Sequence, residues 1–404
     1  MKIVGILTEF NPFHNGHAYF LSELRRQLGE NAAILCVMSG NFVQRGEPAM
    51  FPKHVRAEAA LLCGADLIIE LPVARSLASA ERFARGAVYL MQCLGCVTHL
   101  AFGSECGDVA ALQRVADCLD SERCRAGLRR FLDEGMSFAA CRQAAVREVL
   151  GERAAALLDG ANNNLGVEYL RAARYLKWDC TALTVARRGA GHDSGAVKGE
   201  YLSASAVRKL LEQGDWAAAA AAVPPETMDL YRGAFAAGRA PVTLQEAERL
   251  LLEQLRTMDR EAFAALPDCT EGLHHRLYRA AQAAVSFEEW LERAKTKRYA
   301  RSRLRRIAMC AWLGVSRTAA QAMPAYLRLI GCNERGRAIL AQARTAARLP
   351  ILVKPADVKK LSDSARIQFG LEARATERYL LACPGWKTMR PGEEWRTGPV
   401  VLKK

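Results

Sequence analysis

The chain has 404 residues, half of them apolar, and carries a formal net charge of +14 at pH 7. This length exceeds that of one ordinary compact domain, so we expect two or three domains with separate cores. No apolar run approaches the roughly 20 residues of a membrane span, and the N-terminus shows no cleavage-site pattern before or after Glu9, so we expect a cytoplasmic protein without a membrane anchor or signal peptide.

Short apolar strands alternate with helical patterns in the first half of the chain. The strands are predicted at Lys2–Thr8, Ala33–Met38, Asp66–Leu71, Thr98–Phe102 and Thr181–Ala186. Apolar residues recur at helical spacing in Gly16–Gln27, His54–Cys63, Ala80–Leu94 and Val109–Leu119. This alternation predicts a doubly wound, Rossmann-like α/β domain with a parallel sheet, whose ligands bind at the carboxyl ends of the strands.

The cysteines predict core packing rather than disulfides or metal binding. There are 13 of them, an odd number, and most lie in apolar patterns. Cys93 and Cys96 are spaced like metal ligands, but no second pair follows at zinc-ribbon spacing. We therefore expect reduced thiols and no metal bound by protein side chains.

Helical patterns alone continue from about residue 215, which predicts an all-α C-terminal region. The helices are predicted at Leu244–Met258, Gly272–Ala284, Ser286–Ala294, Ser302–Leu313 and Ser364–Tyr379. We place the domain boundary near residue 212, with an α/β domain at 1–212 and a helical region at 213–404.

The first strand leads into Asn11-Pro12-Phe13-His14-Asn15-Gly16-His17, and a helix begins at the end of this segment. Free backbone N–H groups and the helix dipole make such a junction an anion site. Gly16 lets the backbone approach a phosphate, and two imidazoles can donate to the charge that develops on an α-phosphate. We predict His14 and His17 as the catalytic residues; the alternative is that they only cap the helix.

A second phosphate site is predicted where another helix begins. Ser203 and Ser205 precede that helix, and Arg208 lies in its first turn. A hydroxyl at the N-cap and a nearby guanidinium suit a phosphate. Such a pattern alone is more often a helix cap, but its presence together with the histidine segment favours a ligand site.

The net positive charge lies entirely in the C-terminal part of the chain. Residues 295–404 hold 24 Lys and Arg against 7 Asp and Glu, whereas residues 1–294 hold 33 against 36. Within Lys295–Arg306, hereafter the basic segment, seven residues are basic and none is acidic. A solvated helix face normally mixes both signs, so we predict contact with RNA phosphates, with Tyr299 as a platform for a base. The predicted RNA-binding residues are Lys295, Lys297, Arg298, Tyr299, Arg301, Arg303, Arg305 and Arg306.

The two predicted phosphate sites, His14–His17 and Ser203–Arg208, resemble the signature motifs of the HxGH nucleotidylyltransferase superfamily. More narrowly, the chain resembles the tRNA(Met) cytidine acetate ligase family. The segments that carry this resemblance are Gly5–Phe20, Ser39–Pro48, Gly64–Pro72, Phe102–Glu105, Asn162–Gly166 and the basic segment. The resemblance covers most of the chain and is densest before residue 210.

The resemblance implies a nucleotidylyltransferase domain and a reaction in two steps. Acetate attacks the α-phosphate of ATP, which arrives with Mg²⁺, to give acetyl-adenylate and pyrophosphate. The N4 amine of the wobble cytidine in elongator tRNA(Met) then takes the acetyl group, with AMP released and without acetyl-coenzyme A. The implied and predicted ATP contacts are Leu7, Thr8, Glu9, Phe10, Asn11, Pro12, Phe13, His14, Asn15, Gly16, His17, Ala18, Tyr19, Phe20, Gly103, Asn162, Arg187, Ser203, Ser205 and Arg208.

Some assignments within this resemblance stay open. In Ala186–Asp193, alanine stands where the family pattern has a lysine, so either Arg187 or Arg188 is the ATP ligand. Gln44 and Arg45 are either a gate over the site or ordinary loop residues.

Two other functions compete with the ligase interpretation. A small-molecule adenylyltransferase of cofactor synthesis shares both phosphate motifs, but it has no need of a basic, helical extension. A non-catalytic RNA-binding or ribosome-assembly protein needs the basic residues, but it has no need of the intact histidine and serine motifs.

Overall fold

The computed structural model describes residues 1–188 and 201–403. Within these ranges the strands are β1 (Ile3–Thr8), β2 (Ala33–Ser39), β3 (Phe42–Val43), β4 (Glu47–Pro48), β5 (Leu67–Leu71), β6 (His99–Ser104), β7 (Thr181–Ala186), β8 (Leu327–Cys332), β9 (Ile351–Leu352) and β10 (Val400–Val401). Short 3-10 turns occur at Leu157–Asp159, Pro355–Lys360 and Trp386–Thr388.

The helices of the α/β half surround the sheet. They are α1 (Asn15–Leu28), α2 (Lys53–Leu62), α3 (Val73–Ser76), α4 (Ala80–Leu94), α5 (Val109–Asp120), α6 (Glu122–Asp133), α7 (Phe138–Leu150), α8 (Glu152–Ala156), α9 (Ala161–Tyr175) and α10 (Ala204–Glu212). The later helices are α11 (Trp216–Ala222), α12 (Pro225–Ala236), α13 (Leu244–Thr257), α14 (Arg260–Ala264), α15 (Leu273–Ala283), α16 (Phe287–Ala294), α17 (Arg301–Leu313), α18 (Arg317–Gln321), α19 (Glu334–Ala346), α20 (Asp363–Leu381) and α21 (Glu393–Arg396).

The central sheet has the doubly wound topology that the sequence predicts. In the described part of the chain its strand order is β10-β8-β5-β2-β1-β6-β7, with β9 added beside β8. The run β5-β2-β1-β6-β7 is parallel throughout. Strands β2 and β5 are buried along their whole length, as expected for a parallel sheet covered by helices on both faces. Strand order reverses between β1 and β6, and ligands bind at such a switch point.

The C-terminal region is mainly helical, as predicted, but it is not all-α. Strand β8 pairs antiparallel with β5, while β9 and β10 pair parallel with β8. The prediction missed β8 because periodicity cannot distinguish a short apolar run in a strand from one in a helix. Its pairing partner also lies far earlier in the sequence. The domain boundary near residue 212 stays a prediction.

A short hairpin joins the sheet to the C-terminal helices. Strands β3 and β4 pair antiparallel just after β2 ends. The buried ring of Phe42 on β3 meets Trp312 and Tyr379 edge-on, with ring centroids 5.7 and 6.0 Å apart. Phe42 thereby enters the hydrophobic core that α13, α15, α16, α17 and α20 build.

Membrane-spanning character is absent from the helices of the described ranges. None of them is both long enough and apolar enough to cross a bilayer.

Candidate active site

A cavity of about 480 Å³ opens at the carboxyl ends of β1, β6 and β7. It lies at the switch point of the sheet, where the fold favours ligand binding. The predicted residues that line it are Leu7, Thr8, Glu9, Phe10, Asn11, His14, Gly16, His17, Tyr19, Phe20, Gly103, Asn162, Arg187, Ser203, Ser205 and Arg208. The structure thus brings the two predicted phosphate sites, far apart in sequence, to one cavity.

The predicted residues Pro12, Phe13, Asn15 and Ala18 do not line the cavity. Phe13 is fully buried, and its carbonyl oxygen accepts a hydrogen bond of 2.9 Å from the Tyr231 hydroxyl. The Asn15 side chain donates to the backbone of α11 at 3.1 Å, and Ala18 packs against the core. These positions point away from the cavity because successive residues of a turn and a helix face different sides.

His14 and His17 form a reciprocal cap at the start of α1. The Nδ1 atom of His14 accepts from the backbone N–H of Gly16 at 3.0 Å, and Nδ1 of His17 accepts from the backbone N–H of His14 at 3.3 Å. The rings stack with centroids 3.8 Å apart. Because a backbone N–H can only donate, both Nδ1 atoms are acceptors, which assigns the ring hydrogen to Nε2 in the neutral forms. The two Nε2–H groups are the donors left for a ligand.

The surroundings keep both imidazoles neutral. Burial lowers the pKa of His14 to about 3, with a further contribution from the nearby Arg187. Burial also lowers the pKa of His17 well below its usual value, and His14 and Arg187 add to the effect. A neutral imidazole still donates one hydrogen bond, so both rings can bind a phosphate oxygen without carrying a charge of their own.

Packing fixes the histidine rings in these positions. Phe10 and Phe13 contact the ring of His17, with centroids 5.0 and 5.4 Å away. A Cβ atom on Gly16 would lie 2.9 Å from Cε1 of His14 and 3.0 Å from its Nδ1. Glycine at this position therefore permits the close contact between the His14 ring and the backbone of the first helical turn.

Asn162 and Arg187 form another polar part of the cavity wall. Arg187 donates to the Asn162 side-chain oxygen at 3.3 Å. The amide of Asn162 donates to Glu105 at 2.6 Å, and its backbone N–H donates to the same carboxylate oxygen at 3.0 Å. Burial raises the pKa of Glu105, but these bonds from Asn162 and Asn163 outweigh it and hold the pKa below 4.5.

Arg187 and Arg188 both line the cavity but differ in their contacts. The guanidinium of Arg188 lies over the ring of Tyr19, 4.3 Å from its centroid. Arg187 instead reaches Asn162 and influences both histidines. Which of the two arginines is the ATP ligand stays a prediction. The rest of the predicted segment, residues 189–193, lies outside the described residues.

Ser203 and Arg208 bring α10 to the same cavity. Ser203 is the N-cap of α10, and its hydroxyl accepts from the backbone N–H of Ala206 at 3.2 Å. Arg208 donates to the backbone oxygen of Asn11 at 2.7 Å and to Glu47 at 3.3 Å. The helix cap is therefore real, and it places Arg208 against the histidine segment.

The apolar walls of the cavity were missed by the sequence prediction. Phe83, Phe102, Leu165 and Tyr169 line it together with the predicted polar residues. The Phe102 and Tyr169 rings meet edge-on at 5.8 Å. Apolar residues inside a strand or a helix look like ordinary core in a sequence. Phe102 and Leu165 lie in segments that carry the family resemblance, but no sequence signal distinguishes Phe83 and Tyr169.

Glu9 ties the hairpin to the end of β1. One of its carboxylate oxygens accepts from the backbone N–H of Gln44 at 2.7 Å and from the Ser39 hydroxyl at 3.3 Å. Burial raises the pKa of Glu9, although the hydrogen bond from Gln44 opposes this. Gln44 and Arg45 also line the cavity, so the hairpin forms part of its wall.

Similarity to known proteins agrees with this geometry. Residues 1–393 match the family model of the HIGH nucleotidyl transferases. The chain is 34% identical to the tRNA(Met) cytidine acetate ligase of Acetivibrio thermocellus and 36% identical to that of Kosmotoga olearia, with both chains of each pair fully covered. The chain belongs to the tRNA(Met) cytidine acetate ligase family.

Solved structures support this membership of the tRNA(Met) cytidine acetate ligase family. The crystal structure of Thermotoga maritima TmcAL without ligand superposes with a TM-score of 0.95 at 32% identity, over the whole of both chains. The crystal structure of the same protein bound with alpha-thio ATP gives a TM-score of 0.93.

The basic segment of this family member is only partly open to solvent. Lys295, Lys297 and Arg298 are exposed. Arg301 pairs with Glu288 and with Glu292, which are both on α16. Acidic partners from other elements thus neutralise part of the segment, which a charge count along the segment alone does not detect.

The end of the basic segment is more buried than predicted. Arg303 donates to the Asp268 backbone oxygen at 2.7 Å, and Arg306 is only 9% exposed. Tyr299 is 8% exposed, and the Arg303 guanidinium lies 5.0 Å from its ring centroid. Base stacking on Tyr299 stays a prediction that requires this ring to become exposed.

Proposed function

We propose that this chain is an ATP-dependent ligase that acetylates the wobble cytidine of elongator tRNA(Met). Acetate and ATP form acetyl-adenylate with release of pyrophosphate, and the N4 amine of the cytidine then takes the acetyl group with release of AMP. The observation that carries this proposal is the single cavity that the histidine pair shares with Asn162, Arg187 and Arg208. Membership of the tRNA(Met) cytidine acetate ligase family supports the choice of substrates.

The first step needs stabilisation of charge rather than a protein nucleophile. An acetate oxygen attacks the α-phosphorus, a P–O bond forms, and the bond to the pyrophosphate oxygen breaks. The Nε2–H groups of His14 and His17 are fixed by their Nδ1 bonds and by packing, so they donate to the phosphate without reorganisation during the reaction. Arg187 and Arg208 neutralise charge on the phosphates that leave.

The second step requires a cavity that excludes water. The amine nitrogen attacks the acetyl carbonyl carbon, the bond to the phosphate oxygen breaks, and AMP leaves. Acetyl-adenylate hydrolyses if water competes with the amine. The apolar wall of Phe83, Phe102 and Tyr169, together with the β3–β4 hairpin, limits the access of water to this carbon.

The remaining requirements follow from this reaction. Acetate activated by ATP makes acetyl-coenzyme A unnecessary. Within the described residues, no group of three or more His, Cys, Asp or Glu side chains is arranged to hold a metal ion, so Mg²⁺ would be held mainly by the triphosphate of ATP. A tRNA substrate also implies a cytoplasmic location.

The decisive experiment is incubation of the full chain with ATP, labelled acetate and total tRNA, followed by nucleoside analysis. We expect labelled N4-acetylcytidine with acetate and ATP. If the product formed only with acetyl-coenzyme A, the proposed function would be wrong. Adenylation of a small molecule in place of tRNA would favour the cofactor-synthesis alternative.

A variant of His17 tests the role of the histidine pair. His17→Ala should lower the rate of ATP–pyrophosphate exchange by roughly 100-fold or more, as expected for loss of one transition-state donor, and should leave tRNA binding intact. His275→Ala, at an exposed histidine outside the cavity wall, is the matched control and should retain full exchange. Equal activity of the two variants would remove His17 from the catalytic machinery.

A further inference from the structure

Glu47 on β4 lies between two arginines that belong to different predicted binding sites. One of its carboxylate oxygens is 3.3 Å from Arg208, which lines the nucleotide cavity. The other oxygen is 3.5 Å from Arg305, which is in the basic segment. Glu47 itself lines the cavity. One carboxylate thus connects the nucleotide cavity to the start of α17.

The hairpin holds this carboxylate in a fixed position against α17. Gly46 has φ of +75°, and a Cβ atom there would lie 2.5 Å from the Arg306 backbone nitrogen and 2.7 Å from the Arg305 backbone carbon. Only glycine fits this turn, both for its positive φ and for the close approach of the two backbones. The other end of the hairpin is anchored by Phe42 in the helical core.

We propose that Glu47 is a positioning residue that couples ATP in the cavity to tRNA at the basic segment, so that tRNA binds more tightly after pyrophosphate has left than before. This inference rests on the proposed function, because it requires both ATP and tRNA as substrates. It assigns a role to Glu47, a residue that neither phosphate motif contains.

The coupling follows from the sharing of one negative charge between two positive ones. When the triphosphate binds Arg208, Arg305 is the remaining ion-pair partner of Glu47. Moving Arg305 from Glu47 to an RNA phosphate then costs more free energy, because the Glu47 carboxylate would be left without a partner. After pyrophosphate leaves, Arg208 can pair with Glu47 again, and Arg305 becomes available for RNA. The same free energy must act in both directions, so bound tRNA weakens ATP binding by the same factor.

The expected size of this coupling is modest. The Arg208, Glu47 and Arg305 side chains are between 17 and 26% exposed, and such partly solvated ion pairs are weak. An ATP analogue that cannot react should therefore weaken tRNA binding roughly two- to five-fold. AMP, which has only the α-phosphate, should leave tRNA binding almost unchanged.

The test measures the tRNA dissociation constant of the full chain, with and without a non-reactive ATP analogue, at one ionic strength. The ratio of the two constants should fall to about one in Glu47→Gln, and Glu47→Asp should retain it because the negative charge is kept. Glu212→Gln is the matched control. It removes a carboxylate beside Arg208 but leaves the Glu47–Arg305 contact in place, so its ratio should equal that of the wild type.

Three results would overturn the inference: a wild-type ratio of one, an unchanged ratio in Glu47→Gln, or a ratio lost equally in Glu212→Gln. Because the ratio divides out any change in the affinity for either ligand alone, general damage by a substitution does not imitate the effect. The binding measurement involves no chemistry. Failure of the labelled-acetate reaction in the wild type would therefore count against the proposed function, whereas a ratio of one between the two tRNA dissociation constants would count against the role of Glu47.

Discussion

At the scale of single residues, helix capping by the histidine pair is compatible with the phosphate binding proposed for it. His14 and His17 use Nδ1 for the cap, and this use orients each Nε2–H away from the helix backbone. If His14 and His17 did not accept these hydrogen bonds at Nδ1, the ring hydrogen would no longer be held on Nε2. The two interpretations offered by the sequence are therefore compatible, because each ring has two nitrogens with different partners.

Arg187 and Arg188 provide the first prediction at this scale. Arg187→Ala should raise KM for ATP in pyrophosphate exchange by about 10- to 100-fold, since a hydrogen bond to a charged group contributes about 1.5–3 kcal/mol. Arg188→Ala should raise it less than about five-fold, because its observed partner is the Tyr19 ring and a cation–π contact contributes about 0.5–1 kcal/mol at an exposed site. The reverse order would assign the ATP contact to Arg188.

The sequence predicted the polar half of the site better than its apolar half. Histidines and a glycine between a strand and a helix have few structural uses, so His14, Gly16 and His17 could be recognised. Phe83 and Tyr169 could not, because an apolar side chain that lines a cavity has the same sequence pattern as one in a core. The sequence also could not show which basic residues are exposed. Arg306, for example, is buried by elements that lie far from it in the sequence.

At the scale of secondary-structure elements, a buried cluster of charges attaches the C-terminal helix α21 to the sheet. Glu394 accepts from Lys53 of α2 at 2.7 Å and from Thr376 of α20 at 2.8 Å, and it lies 3.4 Å from Arg328 of β8. Burial by itself raises the pKa of Glu394, but Lys53 and Arg328 outweigh it and hold the pKa at about 2. One carboxylate thus joins four elements.

Glu394→Gln should lower the free energy of unfolding by about 3–5 kcal/mol, because the buried Arg328 then loses its carboxylate partner, whereas Lys53 keeps its ion pair with Glu70. Chemical denaturation at neutral pH measures this change. The folded-state pKa lies below the ordinary 4.5, so the stabilisation is present above pH 4.5 and is lost as the pH falls through about 2. The difference between wild type and variant should shrink over that range.

The exposed ion pair of Arg147 and Glu152 supplies the control for this prediction. Glu152 is 70% exposed, so Glu152→Gln should leave the free energy of unfolding nearly unchanged. Similar losses in both variants would mean that burial does not determine the contribution of Glu394.

Local pattern determined which elements could be predicted. Strand β7 and helix α4 have the predicted bounds, and β1, β2 and β5 differ from theirs by one residue. Helix α4 is a long periodic segment, and the strands alternate along the chain with helical patterns that separate them. Strand β8 and the β3–β4 hairpin were not predicted. The hairpin strands have two residues each, too few for alternation to appear. The hairpin depends on its contact with α17, and β8 depends on its pairing with β5. Both partners lie too far away in the sequence for a local pattern to include them.

At the scale of the whole molecule, the uneven distribution of charge leaves open which part of the C-terminal region would bind RNA. Residues 295–404 carry all of the net positive charge, but two arginines of the basic segment, Arg301 and Arg305, pair with acidic residues of α16 and β4. RNA could respond to the field of the entire C-terminal region or to a few exposed side chains. Salt dependence separates these cases, because each neutralised phosphate adds a definite slope.

Two double variants that remove the same charge provide the last prediction. Lys295→Ala with Lys297→Ala should weaken tRNA binding and reduce the slope of log K against log salt by about 1.5, since each phosphate contact contributes roughly 0.7–0.9. Lys359→Ala with Lys360→Ala also removes two exposed charges from the C-terminal region and should leave the slope unchanged. Pyrophosphate exchange should stay at the wild-type rate in both variants. If both pairs reduced the slope equally, the overall field rather than the basic segment would bind the RNA.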